Sequence, residues 1–279
     1  MSLDKRTGFI QVQGGQLYYE AAGEGPAVVL IHAGVADVRM WRYQFPDFAQ
    51  SHTVIAYDTR GFGRSTTQSV PFSNRQDLIA VLDHFQVSRA AVIGVSRGGQ
   101  IAIDFSVEFP QRVAALLPVA AGLSGYEHTF ASTPRDEMER TTFEQMEKLW
   151  EQKDFTQFSE LGVQVWGDGI GQPAGRMPAE PRNLLSQMTY ANNTRQDGEP
   201  TPQPLQPPAA ERLGEIHCPT LILHGDLDVS AMGIIASRLE QGIAGARRIL
   251  YPGVAHMLSM EIPERFNQDV LAFLESIKW

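Results

Sequence analysis

Ala90-Ala91-Val92-Ile93-Gly94-Val95-Ser96-Arg97-Gly98-Gly99 is the stretch on which the reading of this chain turns. Small and β-branched residues run into Gly-x-Ser-x-Gly, and helical apolar spacing follows. The pattern predicts a strand, a sharp turn and a helix, with Ser96 raised on the turn. A serine held there has a strained backbone, and neighbouring chain comes so close at Gly94 and Gly98 that only glycine fits. The turn also sets Ser96 at the positive end of the next helix, where developing negative charge is stabilised. A close-packed turn with a solvent-facing serine would use the same glycines, so the rest of the chain has to decide.

Before this stretch, Phe9 to Val12 and Leu17 to Glu20 read as a hairpin about Gly14-Gly15. Ala27 to Ile31 is a continuous apolar run, as in a strand buried on both faces, and Thr53 to Tyr57 reads as the next strand. Met40 to Phe48 is helical in character. Ser73-Asn74-Arg75-Gln76 has capping-box form ahead of Leu78, Val81, Leu82 and Phe85, which stripe one helix face. After it, a helix over Gln100 to Phe109 leads into a strand over Val113 to Val119. Strands alternating with helices imply a mostly parallel sheet.

The alternation stops near Leu123 and resumes at Pro219. The intervening chain is polar, aromatic and rich in Pro and Gly, with helical spacing over Thr142 to Lys153 and Phe155 to Trp166. Phe143, Met146, Leu149, Trp150, Phe158 and Trp166 make it too apolar for a disordered insert. Residues 1–122 and 213–279 are therefore read as two parts of one core, and 123–212 as an inserted cap. Pro200, Pro202, Pro204, Pro207 and Pro208 read as an extended return crossing. In the second part, strands over Thr220 to Leu223 and Arg247 to Tyr251 flank a helix over Ile234 to Leu239. Phe266, Val270, Phe273, Leu274 and Ile277 stripe a closing helix.

Composition narrows the classes. The 279 residues, 43% of them apolar, suit one large α/β domain or a domain with an insertion. A net charge of −9 argues against nucleic acid and anionic membrane surfaces as partners. The single cysteine, Cys218, excludes an internal disulfide and fits a reducing cytoplasm. No stretch resembles a signal peptide or a membrane span. Asn192-Asn193-Thr194 matches a glycosylation sequon by chance.

In open parallel sheets, reactive groups gather beyond the carboxyl ends of strands. Ser96, Asp228 and His256 fall at such ends, in the chain order this turn requires. A serine hydroxyl needs a base within reach, and His256 is the candidate. Asp228 would hold its tautomer. Asp226 competes for the acid role, but the Gly-x-x-Asp spacing from Gly225 favours Asp228. Oxyanion donors would be the N–H groups of Arg97 and of Gly34, in His32-Ala33-Gly34-Val35, with Val35 as second choice. Asp58, Arg60 and Arg64 are read as a structural ion-pair cluster. His224 is read as structural, and His52, His84, His128 and His217 as surface residues. No His or Cys pair has ligand spacing, so neither metal nor cofactor is expected.

With these residues in view, the chain resembles the α/β-hydrolase superfamily over nearly its whole length. The matching pieces are His32-Ala33-Gly34, Asp58-Thr59-Arg60-Gly61-Phe62-Gly63-Arg64-Ser65, Gly94 to Gly99, His224-Gly225-Asp226-Leu227-Asp228 and Gly253-Val254-Ala255-His256. It is most similar to the small bacterial branch of enol-lactonases, esterases, C–C hydrolases and cofactor-free haloperoxidases. The resemblance implies an eight-stranded sheet with a helical cap after the sixth strand. It departs from the pattern at Ala33, where Gly is usual, and at Arg97, where Met, Leu or Gln is common.

The resulting expectation is a cytoplasmic serine hydrolase of small carboxylic esters or lactones. The alternatives are C–C cleavage of vinylogous diketones by the same residues, with perhydrolysis as a side activity, and a ligand-binding member of the fold without catalysis. Val35, Trp150 and Trp166 are the candidate pocket residues. The Arg97 side chain either anchors a substrate carboxylate, or forms a salt bridge within the protein or lies in solvent. Oligomeric state stays open.

Overall fold

The apolar runs become a sheet because they have no polar face to give to water. Ala27–Ile31 and Ala90–Val95 are buried at every position, as are Val113–Val119 and Leu221–Gly225. The computed structural model describes residues 4–195 and 201–277.

In chain order the long strands are β1 (Arg6–Val12), β2 (Gly15–Ala22), β3 (Ala27–Ile31) and β4 (Thr53–Tyr57). They continue as β5 (Ala90–Val95), β6 (Val113–Val119), β7 (Leu221–Gly225) and β8 (Arg247–Tyr251). They lie in the order β1-β2-β4-β3-β5-β6-β7-β8. β2 is antiparallel to both neighbours, and every pair from β4 across to β8 is parallel. Thr66–Thr67 adds a short strand beside β2, and Pro71–Phe72 pairs with Thr201–Pro202. Pro200 lies outside the described residues.

Alternate residues of the central strands feed two cores. Val28, Leu30 and Ile93 enter one, with Trp41, Phe45, Phe266 and Leu274. Val29, Ile31 and Val92 enter the other, with Leu78, Leu82, Phe105 and Leu239. Leu78 and Leu82 come from α1 (Asn74–His84), Phe105 from α2 (Arg97–Glu108), Leu239 from α6 (Ser230–Gly242), and Phe266 and Leu274 from α7 (Pro263–Ser276), helices that cover the sheet, while Trp41 and Phe45 come from the segment between β3 and β4.

Between β6 and β7 the insert carries α3 (Pro134–Glu151), α4 (Phe155–Val163) and α5 (Ala179–Asn193). Val163, Leu185 and Met188 join the first core, so the insert is packed onto the sheet domain.

The differences from the sequence reading are local. The hairpin turn is Gln13-Gly14, since Val12 pairs with Gly15. Gly14 supplies the positive φ of 74° that the turn needs. Met40 to Phe48 splits into a 3-10 turn (Val38–Tyr43) and one α turn (Phe45–Phe48). The first insert helix starts at Pro134, capped by the Thr133 side chain, eight residues before the apolar spacing begins. α5 was not read at all, because its buried residues sit among many polar ones.

Candidate active site

The turn after β5 is built as its glycines require. A Cβ on Gly94 would stand 2.1 Å from the Gly98 carbonyl oxygen, and one on Gly98 would stand 2.3 Å from that of Ile31. Ser96 takes φ 56° and ψ −117°, a strained conformation for a residue with a side chain. Bonds from Ser96 N to Val119 O (2.9 Å) and from Gly122 N to Ser96 O (3.1 Å) fix it from the β6 side. Ser96 stays partly accessible, directly ahead of α2. Arg97 is the first residue of that helix, so its N–H has no partner within the helix.

Two and three strands away, the loops after β7 and β8 are stitched together. Leu227 N donates to Val254 O (3.0 Å), and a Cβ on Gly225 would meet the same oxygen at 2.0 Å. The loops bring Asp228 to His256, with Oδ2 2.8 Å and Oδ1 3.0 Å from Nδ1. Both side chains are buried. Asp228 Oδ1 also accepts from Val229 N at 2.7 Å. Asp226 takes a different part, accepting from Gly253 N (2.7 Å) and closing the turn before His256.

The loop after β3 lies against the Arg97 side chain, 3.6 Å from where a Gly34 Cβ would stand. Beneath it, His32 is fully buried and neutral. Its Nδ1 bonds Ala33 O (2.8 Å), and its Nε2 accepts from Thr59 N (2.9 Å). Burial pushes this imidazole down to about 4. The Arg97 guanidinium donates to Thr59 Oγ1 (2.7 Å) and Asn74 Oδ1 (3.3 Å) and stacks on Phe62, 4.8 Å from the ring centroid. It forms no ion pair among the described residues, and burial lowers it to about 10. Neither a salt bridge nor a solvated side chain describes it.

Insert residues meet all three loops. Trp166 lies 4.7 Å from the His256 ring, centroid to centroid. Thr189 Oγ1 donates to Val35 O (3.0 Å), and Asn192 Nδ2 donates to Ala36 O (3.1 Å). Arg135 reaches the Asp228 carbonyl, and Arg176 reaches the Gly253 carbonyl (2.9 Å). Val35 is partly buried against the first core, as is Trp166. Trp150 is not at the site. It is 50% exposed and packs on Phe155 and Phe158 of its own insert, since its place late in α3 faces outward. A cavity of about 340 Å³ lined by Tyr18, Asp37, Arg39, Arg64 and Asn192 includes neither Ser96 nor His256.

Other expectations change. Asp58, Arg60 and Arg64 do not form an ion-pair cluster. Arg60 forks onto Asp77 (2.8 Å twice), Arg64 lies over Tyr18, and Asp58 accepts from Val38 N (2.8 Å) and Arg64 N (2.7 Å). His52 is buried, not superficial. His128 is drawn in with Asp136 and Glu139, their donor atoms within 4.8 Å of one another, a grouping that sequence spacing did not suggest. Protein partners account for these carboxylates: Glu139 caps α6 at Ser230 N (2.9 Å), and Asp136 pairs with Thr133. Arg135, Arg176, Thr189 and Glu261 were not found by sequence reasoning, because none stands in a motif.

A family model described as the alpha/beta hydrolase fold matches residues 26–263. The chain belongs to the α/β-hydrolase family. Among curated relatives it is 26% identical to a 2-hydroxy-6-oxo-6-phenylhexa-2,4-dienoate hydrolase of Comamonas testosteroni, over 92% of this chain and 91% of that one. Among solved structures it resembles the enol-lactonase from Burkholderia xenovorans LB400 (TM-score 0.72, 24% identity, 96% of this chain and 100% of that one). It also resembles the carboxylesterase CesB from Bacillus subtilis (TM-score 0.73, 19% identity, 98% and 92%). At these identities the two structures speak for the α/β-hydrolase fold alone.

Proposed function

We propose that this α/β-hydrolase is a serine hydrolase acting on small, uncharged carboxylic esters or lactones. The observation that carries the reading is the buried Asp228–His256 pair, which lies beyond the carboxyl ends of the parallel strands, as does the strained Ser96. Ser96 Oγ attacks the acyl carbonyl while His256 Nε2 takes its proton. Asp228, on Nδ1, keeps the tautomer and stabilises the imidazolium. The N–H groups of Arg97 and Gly34 receive the oxyanion. His256 then protonates the departing alkoxide; a water gives its proton to the same base and attacks the acyl carbon, and as the acid leaves that proton returns to Ser96 Oγ. The insert caps this chemistry, with Val35 and Trp166 on the acyl side.

A neutral substrate suits the arginines around the site. Arg97 is spent on Thr59 and Asn74, Arg176 on Glu261, and Arg135, which reaches the Asp228 carbonyl, on Glu139. C–C hydrolysis is the second reading, favoured by the name of the Comamonas relative. It needs the same residues but a cationic anchor for the dienoate carboxylate.

Turnover of p-nitrophenyl esters, lactones and 2-hydroxy-6-oxodienoates separates these readings. The proposal expects hydrolysis of the first two and its loss in Ser96→Ala. Dienoate cleavage without ester turnover would transfer the proposal to the second reading. Full ester turnover by Ser96→Ala would remove the triad altogether.

A further inference from the structure

Arg176 belongs to no motif, yet its guanidinium is the most heavily bonded group beside the base. It forks onto Glu261, with Nη1 2.5 Å from Oε1 and Nη2 2.8 Å from Oε2. Nη1 also donates to Gly253 O (2.9 Å) and Nη2 to Gly167 O (3.2 Å), while Nε donates to Asp168 O. Glu261 Oε2 in turn accepts from Ala255 N at 3.1 Å. The pair therefore holds Gly167 and Asp168, the two residues after Trp166. It also holds Gly253 and Ala255, the residues that lead to His256.

The arginine is itself aimed. Fully buried Asp168 accepts from Gly175 N and Met177 N, both at 3.0 Å, so the backbone on either side of Arg176 is pinned to one carboxylate. Arg182 Nε closes that carboxylate at 2.9 Å. A planar fork with donors on three nitrogens can bridge two loops in this way, and an ammonium cannot.

We infer that Arg176 is a positioning residue: with Glu261 it locks the turn bearing Trp166 to the loop bearing His256 and so sets the base in register. The inference rests on the proposed role of His256 as the base. It differs from a plain surface ion pair, which would steady the fold without fixing the distance between the two rings. Small displacements of a base cost rate far more than stability.

The test uses the whole protein with Arg176→Met, Arg176→Lys and Glu261→Gln. Two readouts are taken. One is Trp166 emission against pH, since a protonated imidazole in contact with an indole quenches it, and Trp166→Phe gives the blank for the other tryptophans. The Asp228 carboxylate faces the His256 ring from the other loop. The other is the rate at which a fluorophosphonate labels Ser96. Arg176→Met should lose most of the Trp166 titration and label on the order of 10- to 100-fold more slowly. In ester turnover kcat should fall with KM little changed, and Arg176→Lys should lie between. A folded Arg176→Met with unchanged titration and labelling overturns the inference, as does a wild-type protein whose Trp166 emission ignores pH. If Arg176→Met does not fold, Arg176→Lys and Glu261→Gln are judged by the same two outcomes. Failure of the hydrolase reading looks different: no labelling of the wild type, with the emission titration intact.

Discussion

The indole of Trp166 covers the imidazole of His256, with centroids 4.7 Å apart and planes inclined at 49°. With His256 as the base proposed above, an apolar ring on it would exclude water from one side and supply a wall against which an acyl group can pack. Trp166→Ala should therefore lower kcat/KM by roughly tenfold or more, chiefly through KM, the size of one partly buried aromatic side chain. Steady-state kinetics run beside thermal melts decide the matter. A shift in Tm with every KM unchanged would make Trp166 mere packing for Phe143, whose ring lies 6.1 Å away.

The two acids near the base should separate cleanly. Asp228→Asn removes the partner of Nδ1 and should cost on the order of 10⁴ in kcat. Asp226→Asn alters only the bond to Gly253 N, so about 1 kcal/mol of stability and a few-fold in kcat are at stake. Single-turnover acylation of both variants checks this, and the reverse order of damage would reassign the acid.

Arg97→Met keeps the backbone donor and deletes the side chain that runs from the Gly34 loop to Thr59 and Asn74. The expected outcome is an equal loss, about 10-fold in kcat/KM, on neutral and anionic esters, because a misplaced oxyanion donor affects every acyl group alike. A loss confined to anionic esters would restore the guanidinium as a carboxylate anchor.

His32 makes stability depend on pH. Its folded value of about 4 lies below the ordinary 6.5, so the fold favours the neutral ring. The stabilisation is complete above about pH 6.5 and is lost progressively as pH falls toward 4, on the order of 3 kcal/mol in all. Asp58, raised to about 7 mainly by burial, works in the opposite sense, favouring the fold less as pH rises from 3.8. Urea melts of wild type and His32→Gln across pH 4–7 separate the two: measured relative to the variant, the wild type should show a fall of about 3 kcal/mol as pH drops from 6.5 to 4. Parallel curves for both proteins would remove His32 as its source.

Where the sequence was legible, one residue type had one physical use. The strand limits Ala27 to Ile31, Ala90 to Val95 and Val113 to Val119 agree residue for residue, because a strand buried on both faces admits no polar residue until it ends. Gly94 and Gly98 announced the turn because nothing else fits there. The insert was legible only as an insert. Helix α5 escaped because its buried Leu184, Leu185 and Met188 are spread among polar neighbours. Trp150 was misplaced because hydrophobicity says that a ring is buried or binds, and not which side of a helix faces the site. Arg176 and Glu261 were invisible for a different reason: 85 residues part them, and only the fold makes them neighbours.

The contacts from Arg135 to the Asp228 carbonyl, from Arg176 to the Gly253 carbonyl and from Thr189 to the Val35 carbonyl bear on how such a protein can be re-engineered. Each is made by a side chain of the insert to a main-chain oxygen of the core. The recipient loops hold their shape partly on borrowed donors. A chimaera that exchanges 123–212 for a homologous segment would import a new pocket wall and withdraw those donors in the same step. Transplants that carry arginine and threonine equivalents should keep turnover, while those chosen for pocket shape alone should bind and stall. Substrate range in this scaffold is therefore easier to move by point substitution within the insert than by exchanging it whole.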